Sequence, residues 1–278
     1  MAEVRDIMKL GFIGTGRMAE AILRGLISSK AFSKNNLIIS DKDSNRSKQV
    51  SKKYNVKAAE NNVEAASASD VIILAVKPQS MNAVLSEIAG KVAARQLVIS
   101  IAAGITLKSI EKYLVKVPVV RTMPNNPCLI GEGITAMCGG KFAQERDMRT
   151  AEKIFSSVGD AIRVEEKYMN AITALSGSGP AFVYEAVDAM TNGGIEAGLP
   201  KELSATLAKM TVLGSIKTMI KTKKSPEELK SMVASPGGTT VAGLRVLDEA
   251  NFKGALKKAV IKASARAKEI SEEFERSL

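Results

Sequence analysis

Histidine is missing from the sequence, and aromatic residues make up only 4% of its 278 positions. Histidine is the commonest general acid and base in enzymes, so Ser-His-Asp and Cys-His hydrolases are excluded. The only cysteines, Cys128 and Cys138, have neither close spacing nor partner histidines, which argues against a zinc or redox site. We therefore expect two free thiols in a reducing compartment, and no metal.

Long uncharged apolar runs are also lacking. No run reaches the roughly 18 residues of a membrane-spanning helix. The N-terminal stretch MAEVRDIMKLGFIG carries charges up to a strand-length apolar run, which does not resemble a secretory signal. We expect a cytoplasmic protein without a membrane partner.

Charge is plentiful, with a formal net charge of +11, but it is not concentrated in one region. Lysine and arginine are mixed with acids along the whole length, and the one dense cluster, Lys221–Lys224, falls at a predicted helix end. Aromatic residues for base stacking are scarce, so no nucleic-acid partner is expected. A positive field that attracts an anionic cofactor and a carboxylate substrate explains the charge, as does a solvated surface.

Short apolar runs alternate with helix-like stretches over the first 165 residues, and only helical patterns follow. Continuous apolar strands between helices are typical of a parallel sheet covered on both faces. The sequence therefore predicts an α/β domain over residues 1–165 and a helical domain over residues 166–278. The predicted strands are Lys9–Gly16, Asn36–Ser40, Asp70–Pro78, Gln96–Gly104 and Pro118–Pro124, with Gly133–Gly139 and Ala161–Val164 as edge strands.

The helical half is rich in alanine, glycine and serine, which allow close helix packing. Its shortage of large apolar residues favours helices that interleave with a second subunit, and ordinary packing within one chain is the alternative. The segment ASPGGTT, Ala234–Thr240, interrupts the helical pattern with a proline and two glycines. Consecutive backbone N–H groups before a helix can bind an anion, whereas the plainer interpretation makes Thr239 or Thr240 an N-cap.

The segment Gly14–Ala19 fits the pattern G-x-G-x-x-A, ends a predicted strand and opens a predicted helix. Gly14 permits the tight turn, Gly16 lets the backbone approach a pyrophosphate, and Ala19 lets the helix pack on the strand. The sequence therefore predicts a dinucleotide site. Its predicted contacts here are Gly14, Thr15, Gly16, Arg17 and Met18.

The second predicted strand ends where an adenosine ribose is expected. Asp41 favours NAD, whereas Lys42 and Arg46 favour NADP or belong to a solvated helix start, and the sequence leaves the two cofactors open. The segments AVKP, Ala75–Pro78, and SIAAG, Ser100–Gly104, end the next two strands, where open α/β sheets bind ligands. Small residues at Ala102, Ala103 and Gly104 leave room for a nicotinamide. Ala75, Val76, Lys77, Pro78, Ala102 and Ala103 are therefore predicted to bind the cofactor, with a plain helix start as the alternative for Pro78.

Taken together, these segments resemble the pyrroline-5-carboxylate reductase family along nearly the whole chain. The resemblance is carried by GFIGTGRMAEAI, AVKPQ, SIAAGIT, RTMPNNP, ALSGSGPAFVYEAVDAM and MVASPGGTTVAGLRVLDEANF. It implies an N-terminal Rossmann-type doubly wound sheet and an all-α C-terminal dimerisation domain. It also implies reduction of 1-pyrroline-5-carboxylate to L-proline with NADPH or NADH, the last step of proline biosynthesis, by a homodimer that sometimes assembles into a decamer.

The resemblance also assigns roles to residues that local patterns leave open. It implies a cofactor contact for Asn62, in the loop before SDVIILAVKP, and a substrate contact for Glu166, which local sequence alone reads as a surface charge. Met232 and Asp41 depart from residues that some members carry, although the family more often favours NADPH. The segment SGSG, Ser176–Gly179, reads either as a helix–helix turn or as part of a substrate pocket.

For the chemistry, we expect Thr240 to hold the imine nitrogen and the N–H groups of Gly237, Gly238 and Thr239 to bind the substrate carboxylate. Ser235 belongs to the same predicted substrate loop. A β-hydroxyacid dehydrogenase or a related imine or deazaflavin-linked reductase is a rival prediction, and the former would need a catalytic lysine such as Lys209 or Lys217. A non-catalytic nucleotide-binding regulator would keep the glycine motif but has no need for SPGGTT.

Overall fold

The computed structural model describes residues 8–278. Its eight strands form one sheet in the order β3-β2-β1-β4-β5-β6-β7-β8. Neighbouring strands are parallel except for β6 and β7, which pair antiparallel. The strands are β1 Leu10–Ile13, β2 Leu37–Ser40, β3 Lys57–Ala58, β4 Val71–Leu74, β5 Leu97–Ser100, β6 Val119–Met123, β7 Gly133–Gly139 and β8 Gly159–Arg163.

All seven predicted strands are present, but β7 lies between β6 and β8 and is not the predicted edge strand. The short β3, which was not predicted, forms the other edge. Neighbouring residues of one strand pack into two different apolar clusters. One cluster contains Phe12, Ile39 and Ile73, and the other contains Ile72 and Val98. Alternate residues of a strand point to opposite faces, so both faces of the sheet are covered. This confirms the predicted doubly wound arrangement.

Twelve α-helices are present in the described residues. They are α1 Arg17–Ser28, α2 Ser44–Tyr54, α3 Asn62–Ser67, α4 Met81–Ile88, α5 Leu107–Glu111, α6 Glu145–Phe155, α7 Met169–Ile172, α8 Gly179–Glu196, α9 Lys201–Thr222, α10 Pro226–Val233, α11 Thr239–Glu249 and α12 Phe252–Arg276. Ser225 and Glu228 form a reciprocal capping box at the start of α10, where the sequence pattern predicts a helix start. In the part of the chain that the structure describes, no helix is both long and apolar enough to span a membrane.

The chain divides into two compact units. One contains the described residues up to Ser178 together with Ala263–Leu278, and the other contains Gly179–Lys262. Residues 166–178, which the sequence assigns to the helical domain, thus pack with the α/β unit. The fully buried Met169 and the nearly buried Phe274 explain this, because both belong to the apolar cluster on one face of the sheet.

The segment SGSG does not form the helix–helix turn of one interpretation, and its place at a substrate pocket stays a prediction. Thr173–Gly177 is a π-helical turn directly before α8, and the Ser178 N–H donates to the carbonyl of Thr173 at 2.9 Å. A Cβ atom at Gly177 would lie 2.6 Å from the terminal methyl of Met123. The wide turn with a glycine at this point therefore lets the helical backbone pass close to the end of β6.

Candidate functional site

The glycine turn after β1 has the geometry of a dinucleotide-binding loop. Gly14 has φ of 95°, and a Cβ atom there would lie 2.7 Å from the carbonyl oxygen of Ala75, so only glycine fits. By contrast, no atom lies within 4 Å of the position a Cβ atom would take at Gly16, which is exposed. The space beside Gly16 is therefore open to a ligand that approaches the backbone closely.

The start of α1 adds hydrogen-bond donors to this turn. Gly16 is the N-cap and offers no side chain, while the N–H of Glu20 makes the first intrahelical bond, to the Gly16 carbonyl at 2.9 Å. The N–H groups of Arg17, Met18 and Ala19 are thus left without intrahelical partners. Together with the helix dipole they favour an anion, so these residues fit the pyrophosphate of a dinucleotide.

An open cavity lies beyond the carboxyl ends of β1 and β4, where open α/β sheets bind ligands. It brings together seven of the fourteen predicted cofactor residues and adds Lys42, Ser80 and Val84. The predicted residues Thr15, Arg17, Met18, Arg46, Pro78, Ala102 and Ala103 are not part of its wall. The predicted residues on the wall are Gly14, Gly16, Asp41, Asn62, Ala75, Val76 and Lys77.

Asp41 holds the glycine turn. Its Oδ2 atom accepts hydrogen bonds from the N–H and the hydroxyl of Thr15 at 2.7 and 2.8 Å, and its Oδ1 atom accepts one from the Asp43 N–H at 3.0 Å. Partial burial would raise the pKa of Asp41, but these donors outweigh it and lower the pKa below its usual value. The carboxylate therefore stays ionised and ties the end of β2 to the glycine turn.

Arg46 is also bound within the protein. Its Nε donates to the Thr15 carbonyl at 3.1 Å, and its guanidinium pairs with Glu20 at 2.5 Å. Although partial burial raises the pKa of Glu20, donors from Lys53, Arg46 and Tyr54 lower it to about 2. Glu20 thus links α1 to α2, a role that the sequence pattern does not reveal. Lys42, in contrast, is exposed on the cavity wall.

Asn62 is the first residue of α3, whereas the sequence places it in a loop. Its Oδ1 accepts from the Ser40 hydroxyl at 2.8 Å, and its Nδ2 donates to Glu87 on α4 at 2.7 Å. The side chain is therefore fixed between β2 and α4, on the wall of the cavity. Sequence analysis missed Ser40 and Glu87, since neither belongs to a recognisable motif.

The loop after β5 contains the two predicted nicotinamide contacts. Ala102 is buried and Ala103 is half-buried. The next residue, Gly104, has φ of 77°, and a Cβ atom there would lie 2.5 Å from a methyl group of Ile270. The end of α12 therefore covers this loop and requires glycine at that position.

Glu166 begins a short 3₁₀ turn, Glu166–Tyr168, and is half-buried. Its Oε1 atom accepts from the Leu107 N–H at 2.7 Å and from the buried Arg121 guanidinium at 3.0 Å. Because both donors contact Oε1, the Oε2 atom is available to a ligand. Glu166 is thus an ion-pair partner as well as a predicted substrate contact.

Cys128 and Cys138 are free, as predicted, and both are buried. Burial raises the pKa of the Cys138 thiol to about 12, and the nearby Glu166 charge adds to this rise. A thiol with so high a pKa is a poor nucleophile. Within residues 8–278, no three cysteine or acidic side chains are grouped so as to hold a metal ion.

In the second unit, the segment ASPGGTT links α10 to α11. Gly237 has φ of 71°, and Gly238 is the N-cap of α11. Thr239 and Thr240 are therefore the first two helical residues, and the N-cap interpretation of either threonine is wrong. The Gly238 N–H donates to the Ser235 carbonyl at 3.0 Å, so this predicted anion donor is already used.

The first intrahelical hydrogen bond of α11 joins the Ala242 N–H to the Gly238 carbonyl at 3.3 Å. The N–H groups of Thr239, Thr240 and Val241 consequently have no intrahelical partner. Thr240 is half-buried and Thr239 is exposed. This end of α11 therefore presents three backbone donors and two hydroxyl groups.

Comparison with known proteins gives consistent results along the chain. Residues 9–104 match the family model described as NADP oxidoreductase, coenzyme F420-dependent, and residues 166–270 match that of pyrroline-5-carboxylate reductase dimerisation. The pyrroline-5-carboxylate reductase of Synechocystis sp. is 41% identical over 263 residues, which cover 95% of this chain and 98% of that protein. That of Methanosarcina acetivorans is 41% identical, with 94% and 97% coverage.

Among solved structures, the Plasmodium falciparum pyrroline carboxylate reductase with NADP bound has a TM-score of 0.89 and 32% identity. The match covers 96% of this chain and 99% of that one. The likeness thus extends over both units and not over the nucleotide-binding half alone.

Proposed function

Since the chain belongs to the pyrroline-5-carboxylate reductase family, we propose that it reduces 1-pyrroline-5-carboxylate to L-proline with a hydride from NADPH or NADH, the last step of proline biosynthesis. The observation that carries this proposal is identity of 41% over nearly the full length of a reductase of that name. The open glycine turn beside Gly16 supports it, because it fits a dinucleotide.

When bound, the nicotinamide supplies the hydride, so the protein has to bind, orient and polarise the substrate. In this proposal the Thr240 hydroxyl holds the imine nitrogen, which keeps the adjacent carbon electrophilic. The backbone N–H groups of Gly237, Thr239 and Thr240 bind the carboxylate, and Ser235 shapes the loop by accepting the Gly238 N–H. Glu166 contacts the substrate through its Oε2 atom, because Oε1 is bound by Leu107 and Arg121.

For the cofactor, we favour NADPH over NADH. The Asp41 carboxylate already accepts three hydrogen bonds from the protein, which reduces its capacity for ribose hydroxyls. Arg46 is paired with Glu20, while Lys42 is exposed on the cavity wall and can pair with a 2′-phosphate. In this proposal the remaining predicted residues contact the nicotinamide half of the cofactor; they are Ala75 to Pro78, Ala102 and Ala103.

For the assembly, we propose a homodimer formed through the helical unit, with the decamer as a further possibility of the family. The match of residues 166–270 to a dimerisation model supports it. The two buried free thiols fit the proposed cytoplasmic location, because a reducing compartment preserves them.

The test follows the concentration of NADPH or NADH in three parallel reactions of the purified protein. One contains pyrroline-5-carboxylate, one a β-hydroxyacid with the oxidised cofactor, and one no substrate. We expect turnover with pyrroline-5-carboxylate alone. Turnover of the hydroxyacid would instead support the dehydrogenase alternative, and binding of the nucleotide without any turnover would support the regulator.

A further inference from the structure

We propose that Glu87 is a positioning residue for the cofactor: it sets the orientation of the Asn62 amide on the wall of the nucleotide cavity. This inference rests on the proposed function, in which Asn62 contacts the cofactor. Glu87 lies on α4 and is exposed, and it touches the cavity only through its 2.7 Å hydrogen bond with Asn62.

The Asn62 amide lies between two partners of different character. On one side the Ser40 hydroxyl, which is 1% exposed at the end of β2, donates to Oδ1 at 2.8 Å. On the other side the Glu87 carboxylate accepts from Nδ2. After these two bonds, one N–H and one lone pair of the amide remain for a ligand.

Ser40 alone cannot determine which way the amide faces. A hydroxyl can donate to Oδ1 or accept from Nδ2, so it is satisfied in either of the two orientations related by a 180° rotation. An ionised carboxylate only accepts, and it therefore stabilises the orientation in which Nδ2 faces Glu87. Glu87 thus decides whether a donor or an acceptor is presented at each position of the cavity wall.

Changing Glu87 leaves the fold of α4 intact, because the buried face of this helix consists of other residues. That face is formed by Met81, Val84, Leu85 and Ile88. A kinetic effect of a Glu87 substitution is therefore attributable to the amide and not to lost packing. Helix propensity changes little between glutamate, glutamine and alanine.

The experiment compares Glu87→Ala and Glu87→Gln with the unchanged protein in steady-state kinetics with NADPH and NADH. Glu132→Ala is the matched control, since it removes another exposed carboxylate outside the cavity. For Glu87→Ala we expect the KM of both cofactors to rise about 3- to 10-fold, the effect of one hydrogen bond, with kcat unchanged. For Glu87→Gln we expect a KM between those of the unchanged protein and Glu87→Ala, because the glutamine amide can either accept or donate a hydrogen bond.

A double-mutant cycle separates positioning from other effects. In an Asn62→Ala background, we expect Glu87→Ala to have no further effect on KM. Additive effects of the two substitutions would overturn the proposal. The proposal would also be overturned if Glu87→Ala and Glu87→Gln lowered the KM for NADPH equally and left the KM for NADH unchanged. That result would show that the Glu87 charge merely repels the 2′-phosphate.

Failure of this inference can be told apart from failure of the proposed function. Absence of pyrroline-5-carboxylate turnover in the unchanged protein contradicts the proposed function. The role of Glu87 is then still tested by fluorescence titration, which gives the dissociation constant of NADPH for each variant. Normal turnover in the unchanged protein, with an unaltered KM in Glu87→Ala, contradicts only the positioning role.

Discussion

At the scale of single residues, side-chain hydrogen bonds determine which charged groups are available to a cofactor. Asp41 and Arg46 both belong to the segment that is predicted from sequence to contact the adenosine ribose. In the structure the first binds Thr15 and the second binds Glu20. Lys42 is left as the exposed cation at this end of β2, and the proposed preference for NADPH depends on it.

Replacing Lys42 by alanine is therefore predicted to raise the KM for NADPH by about 5- to 30-fold, the loss of one charge-assisted hydrogen bond. The KM for NADH should change less than twofold, because this cofactor lacks the 2′-phosphate. Lys48→Ala, which removes another exposed lysine from α2, is the control. Equal losses for both cofactors in Lys42→Ala would rule out a role in reading the phosphate.

Replacing Thr240 by valine removes the hydroxyl and keeps the shape. If the hydroxyl polarises the imine in the transition state, kcat/KM for pyrroline-5-carboxylate should fall on the order of ten- to thousand-fold. The matched control is Thr206→Val on α9, an exposed threonine whose hydroxyl donates only to the carbonyl of Glu202. Unchanged kinetics in Thr240→Val would remove this residue from the mechanism.

The glycine turn could be predicted from sequence because its requirements are local: Gly14 needs a positive φ and Gly16 needs space. The bonds of Asp41 to Thr15, of Arg46 to Glu20 and of Asn62 to Glu87 could not, because these partners lie more than twenty positions away and depend on side-chain orientation. Sequence position therefore predicts seven residues of the cavity wall, whereas the hydrogen-bond partner of each is seen only in the structure.

At the scale of elements, continuous apolar runs were enough to predict seven of the eight strands, since a strand buried on both faces leaves a simple pattern. The antiparallel direction of β7 and the π-helical turn at Thr173–Gly177 leave no comparable pattern, because both arise from packing. The end of α12 is a third example: its residues Ala263–Leu278 group with the α/β unit, to which Glu275 is joined through Thr106 at 3.0 Å.

Phe274 is the main apolar contact of this helix end, and it packs in the same cluster as Ile105 and Leu107. Phe274→Ala is predicted to lower the free energy of unfolding by about 3 kcal/mol, from lost burial and a residual cavity. The expected fall in Tm is about 5–10 °C in a thermal melt. Phe142→Ala, at a phenylalanine that is 36% exposed, serves as control and should cost much less. Similar losses in both variants would contradict a structural role for the helix end.

At the scale of the whole molecule, the helical unit Gly179–Lys262 exposes many large apolar side chains. On α9, Leu203, Leu207 and Met210 follow helical spacing and are 46%, 48% and 58% exposed. An apolar surface of this kind is typical of a protein–protein interface. It supports the proposed homodimer, in which these helices pack against a second copy.

Light scattering after size-exclusion chromatography should give at least twice the 29.5 kDa of one chain. The double substitution Leu207→Glu and Met210→Glu is predicted to shift the mass towards one chain, because it places charges in an apolar interface. Val115→Glu with Ile130→Glu makes the same change at exposed apolar positions of the α/β unit and should keep the larger mass. A monomeric unchanged protein would contradict the dimer. Circular dichroism then distinguishes dissociation from unfolding in the variant.

The central claim is that the chain transfers a hydride from a nicotinamide cofactor to 1-pyrroline-5-carboxylate. The most direct measurement follows NADPH oxidation and L-proline formation in the same reaction, with amino-acid analysis for the product. We expect one proline for each cofactor oxidised, and no oxidation when the imine is omitted. Absence of proline with both NADPH and NADH, from a protein shown to be folded and to bind the cofactor, would contradict the account.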